Sequence, residues 1–183
     1  MDKPALRLNV LEMRDMLSAV QVAQMSKKIC TNALSMPKIK NSAKVGVYLS
    51  FRNEPDTAKL IENLLNGGKE VFAPVVVEGA MKFARLTGIE NVSEGEVGVM
   101  EPAEKNFVDA NSIEAFIIPG IAFDMRGYRL GWGGGHYDKF LSNVPKAAKI
   151  ALSYEFEVVH FVPSEKHDIK MDFVVTEKRI IEF

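Results

Sequence analysis

Apolar positions near the start of the chain recur every three or four residues, which is the spacing of one face of an α-helix. The first such face consists of Leu6, Val10, Met13 and Leu17. Ser18 and Gln21 then form the pattern of a capping box, which predicts a second helix that runs to about Leu34 and stops near Pro37. The chain is therefore expected to open with two amphipathic helices.

Short apolar runs come next, and these are typical of buried strands. They cover residues 44–51, 71–77, 81–86, 115–123, 149–154 and 172–176. Between the first two runs, Asp56 can cap a helix over residues 57–66 that ends at Gly67 and Gly68. Residues 78–80 predict a turn, whereas residues 87–112 are polar and predict a long loop with one short element, a candidate lid.

Helices that alternate with apolar strands favour a parallel sheet, because parallel neighbours need a crossover connection. We therefore predict an α/β fold of Rossmann-like type, with a mostly parallel open sheet and helices on both faces. With 183 residues, 47% of them hydrophobic, the chain can bury a full core, and one domain over residues 1–183 is expected. Ligands of such sheets bind outside the carboxyl ends of the strands.

Charge and cysteine content narrow the class of protein. The chain has 23 Lys and Arg against 24 Asp and Glu, so it lacks the positive field that drives nucleic-acid binding. Its single cysteine, Cys30, cannot form an internal disulfide, which suits a reducing compartment. No apolar run approaches the roughly 20 residues of a membrane span. We expect a cytoplasmic monomer without nucleic-acid or membrane partners.

The most unusual segment, residues 129–138, reads Arg-Leu-Gly-Trp-Gly-Gly-Gly-His-Tyr-Asp. Glycine loses more conformational entropy on folding than other residues, so this density indicates positive φ angles or a close approach by a ligand. Apolar residues at positions 137, 140, 141 and 144 predict a helix directly behind the loop. A strand, a glycine-rich loop and a helix N-terminus in this order are typical of an anion site.

Two common nucleotide motifs do not fit this loop. No window supplies the Walker A pattern, and the dinucleotide pattern G-x-G-x-x-G fails because His136 stands where its third glycine belongs. The chain instead resembles the 5-formyltetrahydrofolate cyclo-ligase (methenyltetrahydrofolate synthetase) family, whose P-G-x-x-F-D and R-L-G-x-G-x-G-x-Y-D motifs match residues 119–124 and 129–138. Three further motifs of that family match residues 3–7, 54–57 and 168–172. His136 replaces the family's usual tyrosine.

The resemblance implies a ligase that closes 5-formyltetrahydrofolate, with or without a polyglutamate tail, to 5,10-methenyltetrahydrofolate. ATP and Mg²⁺ would be the cofactors, and ADP and phosphate would leave after a phosphorylated formyl intermediate. The resemblance assigns ATP to Lys3, Arg7, Arg129, Leu130, Gly131, Trp132, Gly133, Gly134, Gly135, His136 and Tyr137. Arg129 and Tyr137 are the catalytic candidates, and the planar guanidinium of Arg129 suits the oxygens of a transferred phosphoryl group.

Carboxylates and flat rings complete the expected site. Asp138 and Asp168 are the candidate Mg²⁺ ligands, because Mg²⁺ takes one or two carboxylates together with water and phosphate oxygens. Alternatives to the second ligand are Asp124, His167 and Asp172. The resemblance assigns the folate to Leu49, Glu54, Trp132 and His136. Glu54 would accept hydrogen bonds from the pterin, and the rings would stack on it.

Two other functions stay open at the level of the residues. The same loop would serve an RNA-phosphate-binding module, although such a module normally carries a basic stripe with interleaved aromatic residues. It would also serve another ATP-dependent kinase or ligase, and here Glu54 discriminates because its motif concerns the folate. The plain structural alternatives are a helix cap for Asp138, a surface ion pair for Arg129 and a loop position near Arg52 for Glu54.

Overall fold

The computed structural model describes residues 2–96 and 98–183. Met1 and Val97 fall within the predicted domain, and Val97 within the predicted lid, but both lie outside the described residues. The helices of the described part are α1 (Lys3–Asp15), α2 (Ala19–Ser35), α3 (Pro37–Asn41), α4 (Ala58–Asn66) and α5 (His136–Leu141), with 3-10 helices at Ala110–Ser112 and Glu155–Glu157. The strands are β1 (Lys44–Val47), β2 (Glu70–Val77), β3 (Ala80–Leu86), β4 (Val92–Glu94), β5 (Met100–Pro102), β6 (Ala115–Ile118), β7 (Ala122–Asp124), β8 (Arg129–Leu130), β9 (Ala148–Leu152), β10 (Val158–Val159), β11 (Phe173–Val175) and β12 (Ile180–Glu182).

A seven-stranded sheet forms the centre of the fold, in the order β12-β11-β9-β6-β1-β2-β3. The strands from β11 to β2 are parallel, whereas the edge strands β12 and β3 run antiparallel to their neighbours. The register places Val45 of β1 between Val71 of β2 and Ala115 of β6. All three side chains are fully buried, as expected where a parallel sheet is covered on both faces. The predicted mostly parallel sheet is confirmed.

One face of this sheet is covered by α2, α3 and α4. Ile29 of α2, Ile39 of α3 and Leu60 of α4 belong to one buried cluster with residues of β1, β2 and β6. Helix α2 begins with the predicted capping box, in which the Ser18 and Gln21 side chains each bond the other residue's backbone N–H. The hydrogen bond that Asp56 Oδ1 accepts from Ala58 N likewise supports the predicted start of α4.

The opposite face is covered by the short helix α5. Its Phe140 packs against Phe83 of β3 and Phe116 of β6, with ring centroids 4.9 and 5.2 Å away. Gly46 of β1 leaves room for this aromatic cluster, because a Cβ at that position would lie only 2.5 Å from the Phe116 ring. Helices therefore lie on both faces of the sheet, as predicted.

A three-stranded sheet in the order β10-β7-β8 supports α1. Leu6 and Val10 of α1 share a buried cluster with Ile121, Leu130 and Val162. Strand β7 follows the carboxyl end of β6, and β8 leads directly into the glycine-rich loop. Packing of α1 on this small sheet therefore brings the start of the chain beside the loop.

The prediction that Met13 belongs to the buried face of α1 is wrong. Met13 is 47% exposed, whereas its neighbour Arg14 is completely buried. Arg14 Nε donates to Glu157 Oε1 at 2.7 Å, and its Nη2 donates to the Gly120 carbonyl at 2.6 Å. A charged side chain is stable inside a protein only with such partners, and these come from distant parts of the chain that helical periodicity cannot anticipate.

Several boundaries also differ from the prediction. The apolar run 115–123 is split into β6 and β7 at Pro119 and Gly120, and strand β1, from the run 44–51, ends at Val47. The predicted loop 87–112 contains two strands and a 3-10 helix rather than one element. Strands β8, β10 and β12 were not predicted, because two or three residues are too few to show a period. No helix of the described residues is long and apolar enough to cross a membrane.

Candidate active site

A cavity of about 890 Å³ opens beside the carboxyl ends of the parallel strands. Tyr48 and Leu49, which follow β1, and Pro119, which follows β6, form part of its wall. This is the edge at which ligands of parallel sheets bind. All predicted site residues line this cavity: Lys3, Arg7, Leu49, Glu54, Arg129, Leu130, Gly131, Trp132, Gly133, Gly134, Gly135, His136, Tyr137, Asp138 and Asp168.

The glycine-rich loop owes its shape to two residues in the left-handed region. Gly133 has a φ of 110° and Gly135 a φ of 66°, angles that side chains with a Cβ rarely adopt. Arg7 of α1 fixes the loop from outside, since its Nε donates to the Gly131 carbonyl at 3.0 Å. The loop is therefore fixed in place and brings its backbone amides to the cavity wall. Such an arrangement suits an anion.

Arg129 is the first residue of β8 and is 7% exposed. Its Nη2 donates to Asp138 Oδ2 at 3.0 Å, and its guanidinium lies 5.2 Å from the centroid of the Tyr137 ring. Its Nε is buried and has no hydrogen-bond acceptor among the described residues. A buried donor without a partner is costly, and a ligand that accepts from Arg129 would remove this cost.

Lys3 forms the outer side of the same wall. Its Nζ lies 2.9 Å from Glu165 Oε1 and 3.0 Å from Asp168 Oδ2. Burial lowers the pKa of Lys3, but the two carboxylates outweigh this and hold the pKa above its usual value. Burial likewise raises the pKa of Asp168, but the Glu165 N–H and Lys3 outweigh it and the pKa is lowered. Both groups are charged at neutral pH.

Asp138 and Asp168 lie close to each other, because Asp138 Oδ1 accepts a hydrogen bond from the N–H of Ile169 at 3.1 Å. Asp138 is therefore more than a helix cap: it joins Arg129 to the segment that carries Asp168. No group of three or more His, Cys, Asp or Glu in the described part of the chain could hold a metal ion by itself. Two carboxylates still fit Mg²⁺ when phosphate oxygens supply further ligands.

The alternative second ligands do not all reach the cavity. Asp124 is fully buried elsewhere, where it accepts hydrogen bonds from Arg126 and from Val162 N. Asp172 pairs with Lys149 at 3.4 Å and is not part of the cavity wall. His167 does line the cavity, beside Asp168. The geometry thus favours Asp168 over the aspartates at positions 124 and 172.

Glu54 also lines the cavity, beside Phe51 and Trp132, and is only 3% exposed. Its Oε1 accepts from Trp132 Nε1 at 3.1 Å, and its Oε2 accepts from Phe51 N at 3.0 Å. Burial raises the pKa of Glu54, although the Phe51 N–H, Trp132 and Arg14 oppose that shift. The bond to Trp132 ties this carboxylate to the glycine-rich loop.

Aromatic rings lie around Glu54 in the cavity wall. Trp132 is 40% exposed and meets the edge of Phe51, with ring centroids 6.1 Å apart. Arg52, with a strained φ of 52°, stacks its guanidinium over both rings rather than pairing with Glu54. His136 and Tyr137 are half-buried, and burial keeps the pKa of Tyr137 well above its usual value, so its hydroxyl is a neutral donor.

Several residues that form or support the site were not predicted from the sequence. The pair Arg14 and Glu157 lies behind Glu54, and Glu165 holds Lys3. Val99, Met100 and Glu101, next to and within β5, also line the cavity, which places part of the predicted lid at the site. The sequence offered one sign for this segment, its length without clear periodicity.

Comparison with known proteins adds a second line of support. The sequence profile of the 5-formyltetrahydrofolate cyclo-ligase family matches residues 1–177. The chain is 29% identical to the 5-formyltetrahydrofolate cyclo-ligase of Escherichia coli K12 over 95% of this chain and 100% of that protein. It is 28% identical to the enzyme of that name from Haemophilus influenzae, over 91% of this chain and 92% of the other.

Solved structures agree with this match. The NMR structure of 5,10-methenyltetrahydrofolate synthetase from Aquifex aeolicus superposes with a TM-score of 0.89 at 35% identity, over 100% of this chain and 93% of that one. A 5,10-methenyltetrahydrofolate synthetase from Mycoplasma pneumoniae gives a TM-score of 0.79 at 26% identity, over 97% and 99% of the two chains. Sequence and fold agree over almost the entire length, and the chain therefore belongs to the 5-formyltetrahydrofolate cyclo-ligase family of ligases.

Proposed function

We propose that the protein converts 5-formyltetrahydrofolate to 5,10-methenyltetrahydrofolate, with ATP consumed and ADP and phosphate released. The observation that carries this proposal is the hydrogen bond between Trp132 and Glu54. It joins the loop suited to phosphates to the carboxylate suited to a pterin, so both reactants would meet in one cavity. Family membership favours this ligase over an RNA-binding module or an unrelated kinase.

The chemistry requires activation of a formamide, whose carbonyl carbon is a poor electrophile. In the proposed sequence, the formyl oxygen attacks the γ-phosphorus of ATP and ADP leaves, which forms an iminium phosphate. N10 of the folate then attacks the activated carbon and loses its proton to the departing phosphate or to water, and the C–O bond breaks to release inorganic phosphate. Phosphorylation thus turns the formyl oxygen into a good leaving group, and the chain's task is mainly positioning and charge stabilisation.

The phosphate end of the cavity supplies these functions. Backbone amides of residues 131–135 would contact phosphate oxygens, with Lys3 and Arg7 as cations on the facing helix. Arg129 would place its free Nε against the transferred phosphoryl group and stabilise the charge on its oxygens. Tyr137, which burial keeps neutral, would donate a hydrogen bond from its hydroxyl to an oxygen of the same phosphoryl group.

Mg²⁺ would bring a positive charge to the β- and γ-phosphates when bound. Asp138 and Asp168 would hold it, since hard oxygen ligands suit this ion and both carboxylates face the phosphate end. Each carboxylate already faces a cation, Arg129 or Lys3, at 3.0 Å. Asp138 and Asp168 would therefore hold the ion while they stay paired with Arg129 and Lys3.

The folate end would be set by Glu54. Each carboxylate oxygen has two lone pairs, and each accepts one hydrogen bond within the protein, so one lone pair per oxygen is left for the pterin N–H groups. Trp132 and His136 would stack on the rings, and Leu49 would contact them from the strand end. We expect one chain to suffice as a monomer, because every assigned residue lines the same cavity.

An absorbance assay tests this function. Purified protein is mixed with 5-formyltetrahydrofolate, ATP and Mg²⁺, and the near-ultraviolet absorbance of the methenyl product is followed, with reactions lacking ATP or Mg²⁺ as controls. We expect a rise only in the complete mixture. A rise of equal rate without ATP, or no rise although folate and ATP each bind, would contradict the proposal.

A further inference from the structure

A buried series of charged groups leads from the protein interior to the folate end of the cavity, and the proposed reaction does not account for it. Arg14 is completely buried and bonds Glu157 and the Gly120 carbonyl through Nε and Nη2. Its third nitrogen, Nη1, has no hydrogen-bond partner among the described residues and lies 4.0 Å from Glu54 Oε1. Glu54 in turn holds Trp132.

If the ion pair between Arg14 and Glu157 served stability alone, it would not need a nitrogen of Arg14 beside Glu54. Glu157 is also completely buried, and its Oε2 lies 3.0 Å from both Ser153 Oγ and Tyr154 N, so it is well satisfied on its far side. Replacing a buried ion pair by apolar residues is often neutral for stability, so burial alone does not explain a charge at this place. What the guanidinium adds is a fixed positive charge directly behind the cavity-facing carboxylate.

We propose that Arg14 is a positioning residue for the folate-binding carboxylate, whose guanidinium keeps Glu54 ionised and oriented towards the cavity. This inference rests on the proposed function, because it assigns the pterin to Glu54. An ionised carboxylate accepts hydrogen bonds on both oxygens, whereas a protonated one has one oxygen committed as a donor. The state of Glu54 therefore decides how well it matches the N–H groups of a pterin.

Among the groups that oppose the rise in the pKa of Glu54, Arg14 is the one that carries a full positive charge. Burial raises the pKa of Glu54, and the N–H groups of Phe51 and Trp132 act against it together with Arg14. Burial raises the pKa of Tyr48 and Tyr137, so the phenols that face this carboxylate stay neutral. Arg14 is thus the cation that faces Glu54 in the described structure.

Glu157 modulates this cation from behind. Burial raises the pKa of Glu157 to about 7, with Arg14 opposing the shift. Because its pKa is raised, Glu157 holds a proton more readily than an ordinary carboxylate and neutralises the guanidinium less completely. Part of the charge of Arg14 remains to stabilise the anionic form of Glu54.

Trp132 provides a direct test, because it is the single tryptophan of the chain and bonds Glu54. Its fluorescence is titrated against pH in the ligand-free protein, and the transition is assigned to Glu54 by its loss in Glu54→Gln. Two variants are compared, Glu157→Gln and Arg14→Met/Glu157→Gln. The pair differs only in the guanidinium, and neither variant leaves a buried carboxylate at position 157 without its cation.

We expect Glu157→Gln to titrate at or below the wild-type midpoint, and the double variant to titrate about one pH unit or more higher. Relative to Glu157→Gln, the Kd for 5-formyltetrahydrofolate should rise in the double variant, approaching about tenfold per pH unit of midpoint difference at pH values below both midpoints. The two Kd values should converge at higher pH, and the Kd for ATP should change much less. Equal midpoints in the two variants, or no Glu54-dependent transition in the wild type, would overturn the inference. If the wild type binds no folate, the proposed function fails, and the midpoints alone then decide the role of Arg14 in the ionisation of Glu54.

Discussion

Replacement of Arg129 by alanine should remove most of the catalytic rate while the protein stays folded. Arg129 lines the cavity, and its Nη1 and Nη2 donate to the Pro119 carbonyl at 3.5 Å and to Asp138 at 3.0 Å. Its Nε has no partner among the described residues, so this nitrogen is the free donor that we assign to the transferred phosphoryl group. Loss of one such donor typically lowers kcat by about 10²–10³. We expect a loss of that size for Arg129→Ala, and a smaller loss for Arg129→Lys, which keeps the charge without the planar fork.

The cost in stability should be modest. Asp138 loses its cation but keeps the hydrogen bond from Ile169 N, and its side chain is 20% exposed, so water can partly replace the guanidinium. We expect about 1–3 kcal/mol, which is less than the total stability of an ordinary domain. The folded fraction of the variant should therefore remain close to that of the wild type.

Steady-state kinetics of the methenyl product measure the effect, with circular dichroism and urea unfolding to confirm folding. Arg179→Ala is the matched control, because Arg179 also pairs with a carboxylate, Glu155 at 2.8 Å, but is half-exposed and outside the cavity. Its kcat should stay within about twofold of the wild type, since a surface pair of this kind contributes little. A folded Arg129→Ala protein that retains kcat within tenfold of the wild type would refute the role given to Arg129.

Three further predictions concern other parts of the molecule. Glu54→Gln should weaken folate binding by about 10- to 100-fold, which is the range for a lost hydrogen bond to a charged group, and should weaken ATP binding much less. Calorimetric titrations that show equal losses of affinity for folate and ATP would contradict the pterin assignment. Gly46→Ala should lower the free energy of unfolding by about 1–3 kcal/mol, because its Cβ would lie 2.5 Å from the Phe116 ring; an unchanged urea midpoint would show that the cluster adapts freely. Burial raises the pKa of Glu157 from 4.5 to about 7, so between these pH values the native state binds more protons than the unfolded state. The free energy of unfolding should therefore fall as the pH rises through this range, and the fall should be smaller in Glu157→Gln. Identical pH profiles of the free energy of unfolding in the two proteins would contradict the raised pKa.

Motifs whose function depends on local sequence were predictable. The glycine-rich loop, the end of β6 and the Glu54 segment all lie at the predicted edge, because the carboxyl ends of parallel strands meet there. The residues that we assign to an anion or a pterin occur in short stretches with strong conformational or chemical demands. Such stretches can be recognised before the rest of the fold is known.

Contacts between distant segments were not predictable in the same way. Periodicity placed Met13 on the buried face of α1, but the buried residue is its neighbour Arg14, whose partner Glu157 lies 143 positions away in the sequence. The edge strand β12 was missed because three residues at the end of the chain show no usable alternation. Long-range charge pairing and edge pairing are decided by packing, which a single sequence does not display.

The fate of the formyl oxygen tests the central claim most directly. 5-Formyltetrahydrofolate carrying a heavy-oxygen label in the formyl group is converted by the protein with unlabelled ATP, and the released phosphate is analysed by mass spectrometry. If the formyl oxygen attacks the γ-phosphorus in this cavity, the label appears in inorganic phosphate in a one-to-one ratio with methenyl product. Label that appears in water instead, with unlabelled phosphate, would contradict the phosphorylated intermediate and the role of the glycine-rich loop in forming it.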